Sequence, residues 1–312
     1  MAGNNSSVSA ALLVRIMTTN LVSVVQPLVL IFLSINISLI ITFFQKECFN
    51  TTARYILFAV TLLSDSVLLI ISDILLLLQY LGLTMEIRFC IIICSVVLHY
   101  VILTPVTLTT MTLERYVAIC MPLHHAELCS TRSTMRCILI INGLSIVPCI
   151  IFLSLIFAFA PLSFYFQYKV CVVSVVLVYS WHDYVRSGLY QFYFLIMCII
   201  IVFSYIKIMR VAKAASGESK KSTGKGLRTV ALHAFQLLLC LIQLWFPFIE
   251  ANVLQIHFKS FLNVRFFNYV IFFLAPRCLS PLIYGLRDEM FFHALKCNFF
   301  CGLYKKSPAN GL

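Results

Sequence analysis

The sequence predicts an all-α membrane protein, a seven-transmembrane helix bundle, and two observations lead to that fold class. Of the 312 residues, 62% are hydrophobic and only 11% are charged, far more apolar surface than a soluble domain of this size carries. A helix needs roughly 20 apolar residues to cross the hydrocarbon core of a bilayer. Apolar windows of about that length, here called the first to the seventh span, lie near 22–44, 55–80, 90–113, 137–160, 187–209, 229–256 and 265–286.

The distribution of lysine and arginine predicts the orientation of these spans. Basic residues are retained in cytoplasmic loops. If the amino terminus is extracellular, most lysines and arginines lie on the cytoplasmic side of the membrane. The stretch 207–228 is the densest basic segment on that side. The net charge of +12 then reflects this bias and an attraction to anionic membrane lipids. The chain has no nucleic-acid module, because the basic stretch lacks interleaved stacking aromatics.

Three segments follow from this topology: an extracellular tail at 1–21, the membrane domain at 22–286, and a cytoplasmic amphipathic helix with a tail at 287–312. Asn4 and Asn5 each open an Asn-x-Ser sequon in the first segment and are predicted to be glycosylated. No removable signal peptide is expected, because the start of the chain lacks a basic region and a cleavage box, so the first span serves as the signal anchor.

Two cysteines in the last segment and an asparagine in the first span are further candidates. Cys297 and Cys301, on the predicted surface helix, are palmitoylation candidates. Asn36 also lies in a sequon, but within the first span, where we expect it to make a hydrogen bond to another helix instead.

Charged residues within the spans are costly and therefore functional candidates. Asp65 lies in the second span, Asp73 two helical turns further along on about the same face, and Arg277 in the seventh span. We predict that Arg277 pairs with Asp65 or Asp73, since a lone guanidinium is strongly unfavourable there. The alternative for Asp65 is that it only satisfies neighbouring polar groups.

Residues 111–122 read Met-Thr-Leu-Glu-Arg-Tyr-Val-Ala-Ile-Cys-Met-Pro and end the third span. This string resembles the cytoplasmic end of helix 3 in the odorant receptor branch of the rhodopsin-like G-protein-coupled receptors. The start of the sixth span, 225–233, is similar to the fish-type subgroup. Ser204-Tyr205 and Ser280-Pro281-Leu282-Ile283-Tyr284 resemble further elements of that family.

The resemblance implies a receptor without a catalytic site. Its partners would be a small-molecule odorant and a heterotrimeric G protein of the stimulatory, olfactory type, and its location the plasma membrane, in the cilia of olfactory neurons. Glu114 would hold Arg115 at rest, and ligand binding would tilt the sixth span outward and free Arg115 for the G protein. The coupling surface implied by the family consists of Glu114, Arg115, Tyr116, Tyr205 and Tyr284.

The resemblance also implies a disulfide and a polar core. In the family, a bond equivalent to Cys90–Cys171 pins the loop between the fourth and fifth spans over the ligand pocket. An acid at the place of Asp65 lines a cavity that binds sodium. Ser280 stands where the family has Asn, which weakens the expected bridge to Asp65. The predicted polar core is Asn36, Asp65, Arg277 and Ser280.

Helix spacing places a mostly apolar ligand pocket in the outer half of the bundle. Its predicted residues are Cys94, Val97, Leu98, Val101, Tyr193, Trp245, Glu250, Tyr269 and Phe272. Trp245 precedes Pro247 and would couple ligand shape to a helix kink, or would simply pack at the bend. Glu250 would select a cationic or polar ligand or cap the helix end. Amine receptors of this class carry an Asp where this chain has Val97.

Two other classes of protein remain as alternatives. One is a non-olfactory rhodopsin-like receptor for a peptide or lipid. The other is a transporter or channel, which predicts repeated halves and broken helices that the sequence lacks. No cofactor or metal is expected. His124, His125 and Cys129 lack a fourth ligand, and nothing in the sequence favours an enzyme.

Overall fold

The structure is a computed structural model, and it describes residues 2–45, 49, 51–176, 179–214 and 258–279, together with scattered positions between 231 and 253. Five long helices dominate this part of the chain. The elements in chain order are α1 Ala2–Gln45, α2 Ala53–Leu81, β1 Thr84–Glu86, α3 Ile87–Cys120, α4 Pro122–Leu128, α5 Thr131–Phe159, α6 Leu162–Tyr165, β2 Tyr168–Val170, α7 Val173–Val176, α8 Ser180–Ala214, α9 Phe258–Phe267 and a π-helix Asn268–Leu274.

Five helices in the described residues are long and apolar enough to cross a membrane. Their candidate membrane segments are Thr18–Gln45, Ala53–Leu81, Ile87–Cys120, Thr131–Phe159 and Tyr184–Val211, which cover the first five predicted spans. The described positions of the sixth window are helical, and the seventh runs from α9 through the π-helix to residue 279. Residues 280–286 of the seventh window lie outside the described residues.

Each long helix extends beyond its predicted window, and α1 extends furthest. It begins at Ala2, about twenty residues before the predicted start of the first span. No proline interrupts the chain before Pro27, and Ala10-Ala11-Leu12-Leu13 are good helix formers. A membrane helix needs no break at the water boundary, so apolar length locates its centre better than its ends.

The third span, α3, is the central helix of the bundle and packs against α2, α5 and α8, whereas α1 packs against α2 and α9. Leu62, Ile102 and Ile156 from three of these helices are fully buried in one core cluster. Large apolar side chains on the outer surface, such as Leu139, are exposed. A surface of this kind suits a lipid environment, where apolar side chains face the acyl chains.

A small antiparallel hairpin covers the Cys90 end of the bundle, called here the disulfide end. β1 pairs with β2 in the register Thr84↔Val170, Met85↔Lys169 and Glu86↔Tyr168. Gly82 ends α2 with φ of +65°, a left-handed conformation that glycine adopts without strain, and turns the chain into β1. The sequence analysis did not predict this hairpin.

The opposite end of α3, called here the Arg115 end, turns sharply into a short helix. α3 ends at Cys120, and Pro122 opens α4, where its missing N–H costs no hydrogen bond. Ser130 then caps α5 by accepting a hydrogen bond from the backbone N–H of Ser133. This turn brings α4 back beneath the last turn of α3.

Candidate functional site

The disulfide predicted from the family resemblance is present. Cys90 and Cys171 are bonded, with their Cα atoms 5.5 Å apart. Cys90 lies in the first turn of α3 and Cys171 directly after β2, so the bond fixes the hairpin to the central helix. The Sγ of Cys94 lies 3.8 Å from that of Cys90. The three sulfurs lie within 4.8 Å of one another, but two are bonded together and do not form a metal site.

Beneath this loop, α3 supplies buried apolar residues at positions predicted to line the pocket. Cys94, Val97 and Leu98 are all buried, and Val101 is partly buried. Val97 packs in a cluster with Leu68 of α2 and Phe273 of the π-helix, and Tyr269 and Val101 pack against that cluster. These contacts bring the predicted α3 and seventh-span residues together.

The aromatic residue that the sixth span places beside the seventh is Phe246, not Trp245. Phe246 is buried, and its ring centroid lies 4.8 Å from that of Phe272. Trp245 is 45% exposed and meets Phe194 of α8 edge-on at 6.3 Å. Trp245 thus faces α8 and not the seventh span, and its role in a ligand pocket stays a prediction. The sequence motif gave no information on the rotation of this helix about its axis.

Tyr193 also differs from its predicted place. Its hydroxyl donates to the backbone carbonyl of Leu144 on α5, with the two oxygens 2.7 Å apart. Tyr193 thus ties α8 to α5 and does not turn its hydroxyl toward the other predicted pocket residues. Helix periodicity gives the angular position of a residue on α8 but not which neighbouring helix it meets.

Glu250 has a specific partner on the seventh span. Its Oε1 accepts a hydrogen bond of 2.7 Å from Nδ2 of Asn268, the first residue of the π-helix. The carboxylate therefore joins the sixth and seventh helices near the disulfide end. Neither a bound cation nor a helix cap is needed to explain its position.

Two members of the predicted polar core, Asn36 and Asp65, make hydrogen bonds between helices α1, α2 and α3. Asn36 is fully buried, and its Nδ2 donates to Oγ of Ser66 on α2 at 3.2 Å, which confirms the predicted hydrogen bond to another helix. Asp65 is also fully buried and accepts from Oγ1 of Thr104 on α3 at 3.0 Å. Such bonds satisfy polar groups that have no access to water.

Arg277 is buried, with 1% of its surface exposed, but it does not make the predicted ion pair. Its Nη1 donates to Oε1 of Gln243 at 3.2 Å and to the carbonyl of Phe273, and its guanidinium lies 4.1 Å from the centroid of the Phe273 ring. Asp73 instead accepts from Nε2 of Gln26 at 2.5 Å. The pairing prediction is wrong because the guanidinium donates its hydrogen bonds to the side-chain amide of Gln243 and to the backbone carbonyl of Phe273 instead of to a carboxylate.

At the Arg115 end, the predicted resting pair is formed and a third residue joins it. Nε of Arg115 lies 3.3 Å from Oε2 of Glu114. Nε2 of His125, on α4, lies 3.6 Å from Oε1 of the same carboxylate. Glu114 is therefore shared between two groups that carry or can carry positive charge. The sequence analysis considered His125 only as a metal ligand, which it rejected, and missed this contact.

Two further predicted coupling residues, Tyr116 and Tyr205, lie on α3 and α8. The ring of Tyr116 lies 5.8 Å from that of Phe203, so it packs α3 against α8. Tyr205, near the end of α8, is 37% exposed. Tyr284, Ser280, Cys297 and Cys301 lie outside the described residues. Asn4 and Asn5 fall within α1.

The β1–β2 hairpin carries an electrostatic cluster outside the membrane segments. Tyr168 donates its hydroxyl to Oε1 of Glu86 at 2.8 Å, and Arg88 pairs with the same carboxylate. The Tyr168 hydrogen bond and the Arg88 guanidinium hold the pKa of Glu86 below its usual range. The same contact with Glu86 raises the pKa of Tyr168.

A second polar feature missed by sequence reasoning lies between α5 and α8. His182 is 1% exposed and lies two residues before the membrane segment of α8. Its imidazole meets the rings of Trp181 at 4.2 Å, Tyr179 at 5.5 Å and Phe159 at 6.0 Å. Burial lowers the pKa of His182. A single histidine in an aromatic stretch gave no signal in the sequence.

Comparison with known proteins agrees with this arrangement. Residues 35–284 match the family described as the 7 transmembrane receptor (rhodopsin family). A protein named Odorant receptor 131-2, from Danio rerio, is 45% identical over 281 residues, which is 90% of this chain and 86% of that protein. The fold is thus a seven-transmembrane bundle in a multi-pass membrane protein, of a receptor family and not an enzyme class. With the paired Glu114–Arg115 at one end of α3 and the disulfide at the other, the chain belongs to the odorant receptor branch of the rhodopsin family of seven-transmembrane receptors.

Proposed function

We propose that this chain is an odorant-activated receptor that promotes nucleotide exchange in a stimulatory, olfactory-type G protein. The observation that carries the proposal is the Glu114–Arg115 pair. It holds a mostly buried arginine at the end of the central helix. Because Glu114 and Arg115 are adjacent in the chain, a small displacement of either side chain would separate the pair. The name of the Danio rerio relative supports a small-molecule odorant as the activating ligand.

The ligand is small and mostly apolar, and it enters at the disulfide end of the bundle. Cys94, Val97 and Leu98 of α3 offer apolar walls there, and Tyr269 and Phe272 of the π-helix offer aromatic ones. An apolar pocket with a few polar groups binds by shape, which suits volatile or sparingly soluble molecules. Because Val97 stands where amine receptors have an acid, an amine anchored in that manner is disfavoured.

The sixth helix transmits the ligand's effect, and its contacts with the seventh helix provide the linkage. Phe246 packs on Phe272, Glu250 accepts from Asn268, and Nε2 of Gln236 donates to the carbonyl of Pro276 at 3.0 Å. A ligand that contacts the π-helix therefore acts on the sixth helix through packed neighbours. It shifts the population toward an outward tilt of the sixth helix, to the extent that it binds this state more tightly.

The receptor lies in the plasma membrane of olfactory cilia with its amino terminus outside. The lysine and arginine distribution supports this orientation, and the Cys90–Cys171 bond suits an oxidising exterior. The domain boundaries remain those proposed from the sequence, with 1–21 outside and 287–312 in the cytoplasm. Asn4 and Asn5 are the proposed glycosylation sites, and Cys297 and Cys301 the proposed lipid attachment sites.

The test is cyclic AMP in cells that co-express the chain with an olfactory-type stimulatory G protein, challenged with amino acids, bile-acid-like compounds and small volatiles. Arg115→Ala should abolish the response at unchanged surface level. Arg132→Ala is the matched control, since it removes an exposed cation from the same end of the bundle without touching Glu114.

A response that survives Arg115→Ala would contradict the proposed switch. Silence of the wild-type chain, despite confirmed surface expression, would contradict coupling to the stimulatory G protein and favour a different G protein. Ion flux in such silent cells would favour the transporter alternative.

A further inference from the structure

We infer that Cys94 is a second disulfide partner for Cys171, so that the β1–β2 hairpin is bonded to α3 at either of two positions one helical turn apart. This inference goes beyond the proposed function, because it concerns the pairing of three sulfur atoms and not ligand binding or coupling. The sequence analysis placed Cys94 only among the residues of the ligand pocket.

Three sulfur atoms meet at the disulfide end of the bundle. The Sγ atoms of Cys90, Cys94 and Cys171 lie within 4.8 Å of one another, and that of Cys94 lies 3.8 Å from that of Cys90. Because a disulfide joins sulfurs about 2.05 Å apart, Cys94 and Cys171 need to approach by about 3 Å at most. A change from one staggered rotamer to another moves a cysteine sulfur by about that distance, roughly 3 Å.

Helix geometry directs Cys94 to Cys171 and not to Cys90. Residues four apart on a helix have Cβ atoms about 5–6 Å apart, whereas a disulfide requires about 3.5–4.5 Å. A bond between Cys90 and Cys94 would therefore distort α3. Cys171 lies in the short connection between β2 and α7, where the backbone is not held by a helix of its own.

The three sulfurs are closed off from solvent. Cys94 is fully buried, and Cys90 and Cys171 are each 1% exposed. Thiol–disulfide exchange requires a thiolate that attacks a disulfide sulfur, and burial keeps dissolved thiols away from this bond in the folded receptor. Cys94 is a free cysteine and the one thiol in this group of sulfurs among the described residues. Exchange in the folded receptor therefore runs through Cys94.

The exchange needs no oxidant or reductant. Cys94 loses its proton, and its thiolate attacks Sγ of Cys171, so that a Cys94–Cys171 bond forms while the Cys90–Cys171 bond breaks. The electron pair of the broken bond stays on the sulfur of Cys90, which takes up a proton. The number of disulfides is unchanged, but the attachment of the hairpin moves four residues, or about 6 Å, along α3.

The second pairing changes the ligand end of the bundle, a consequence that depends on the proposed function. Cys94 packs in the same core cluster as Cys90, Cys171 and Leu98 and belongs to the predicted pocket. A bond to Cys171 removes its thiol from that pocket and draws the loop after β2 toward it. The two disulfide forms of one chain would thus offer pockets of different shape.

The experiment identifies the partner of Cys171 in the full-length Cys90→Ala receptor, purified in neutral detergent. Free thiols are blocked with N-ethylmaleimide during denaturation, and unreduced peptides are mapped by mass spectrometry. We expect Cys171 to be bonded to Cys94. In the double variant Cys90→Ala with Cys94→Ala, Cys171 should instead carry the maleimide. Alkylated Cys171 in Cys90→Ala would overturn the inference.

Cys149 provides the matched control, because it is another buried free cysteine of a helix packed against α3. Its Sγ donates to the carbonyl of Ser95 at 3.5 Å, and it does not belong to the group of three sulfurs. Cys149→Ala in the Cys90→Ala background should leave Cys171 bonded. Loss of the bond in this control would show that Cys94 is not the partner.

Melting temperatures give a second measure of the same bond. Cys90→Ala should melt at least about 4 °C above the double variant that also lacks Cys94, the shift that one disulfide gives in a chain of this size. Equal melting temperatures would contradict a bond between Cys94 and Cys171.

The wild-type receptor carries the test if Cys90→Ala does not fold. Incubation at alkaline pH raises the thiolate fraction and should produce molecules in which Cys171 is linked to Cys94 and Cys90 is alkylated. The three isoleucines between Cys90 and Cys94 yield fragment ions that distinguish the two linkages. Cys94→Ala should keep Cys171 linked to Cys90 alone. In that case, a wild-type receptor that also retains only the Cys90–Cys171 bond would overturn the inference.

Discussion

Nε2 of His125 lies 3.6 Å from Oε1 of Glu114, so a residue of α4 competes with Arg115 for the carboxylate at the end of α3. A cation on α4 at this position would attract the Glu114 carboxylate away from Arg115. The restraint on Arg115 therefore depends on how α4 is placed, and the segment between α3 and α5 contributes to the resting state.

A permanent charge at this position should raise basal signalling. His125→Lys is expected to increase basal cyclic AMP about twofold, as an ion pair of a few tenths of a kcal/mol would give, while His125→Phe should not increase it. His124→Lys is the control, because it adds the same charge at an exposed neighbouring position. Equal increases from the two lysine variants would show that the added charge, and not competition for Glu114, causes the effect.

The orientation of the sixth helix, with Phe246 toward the seventh helix and Trp245 toward α8, leads to a second prediction. Phe246→Leu should lower the potency of an activating odorant about tenfold, the upper range for losing an aromatic pair, because Phe246 packs on Phe272. Trp245→Leu should change potency less than about threefold, since Trp245 lies on the α8 side and is half exposed. Concentration–response curves at matched surface level test this, and the reverse order would place Trp245 in the pocket.

Gln243 and Arg277 should behave as a coupled pair in stability. Gln243→Leu leaves a buried guanidinium short of an acceptor and should cost about 1–3 kcal/mol. The double variant Gln243→Leu with Arg277→Leu should cost less than the sum of the two single changes, because both polar groups are removed together. Thermal unfolding of the four proteins measures this cycle, and additivity within about 0.5 kcal/mol would show that the contact contributes nothing.

The hairpin at the disulfide end should lose stability in acid. Because the pKa of Glu86 is lower in the folded state than in the unfolded chain, its contribution is present above the ordinary carboxylate pKa and is lost as pH falls through the lowered value. Tyr168→Phe removes the largest cause of that lowering. We expect the variant to melt below the wild type near neutral pH and the difference to shrink as the pH falls below the ordinary carboxylate pKa.

Tyr184→Phe serves as the reference for this pH series, because it removes a hydroxyl from a largely exposed tyrosine of α8. A melting difference between wild type and Tyr168→Phe that stays constant across the series would show that Glu86 does not titrate with folding. The same variant should leave the Cys90–Cys171 bond intact.

The sequence predicted the features that depend on apolar length or local spacing. Five spans match helices α1, α2, α3, α5 and α8 because a run of about 20 apolar residues has few alternatives to a membrane helix. The Glu114–Arg115 pair follows from adjacency in the chain. The Asn36 contact follows from the cost of an unpaired amide in lipid.

Features that depend on the rotation or placement of neighbouring helices could not be predicted. Two acids were available to Arg277 in the sequence, but helix packing assigns Asp65 to Thr104 and Asp73 to Gln26. His125 reaches Glu114 only because the chain reverses after Pro122. A strand of three residues has too little periodicity to reveal the β1–β2 hairpin.

The π-helix at Asn268–Leu274 sets the rotation about the helix axis of the residues that follow it up to 279. The N–H of Ala275 bonds to the carbonyl of Val270, five residues back, where an α-helix would use the residue four back. The segment thus carries a residue that an α-helix would not need. Losing that residue would rotate the following turn by about 100°. Arg277 would then point away from Gln243, and a guanidinium now held inside the bundle would face lipid. The number of residues in this short stretch is therefore as strictly constrained as their identity. A one-residue deletion there would turn the buried face of the following helix toward the outside of the bundle.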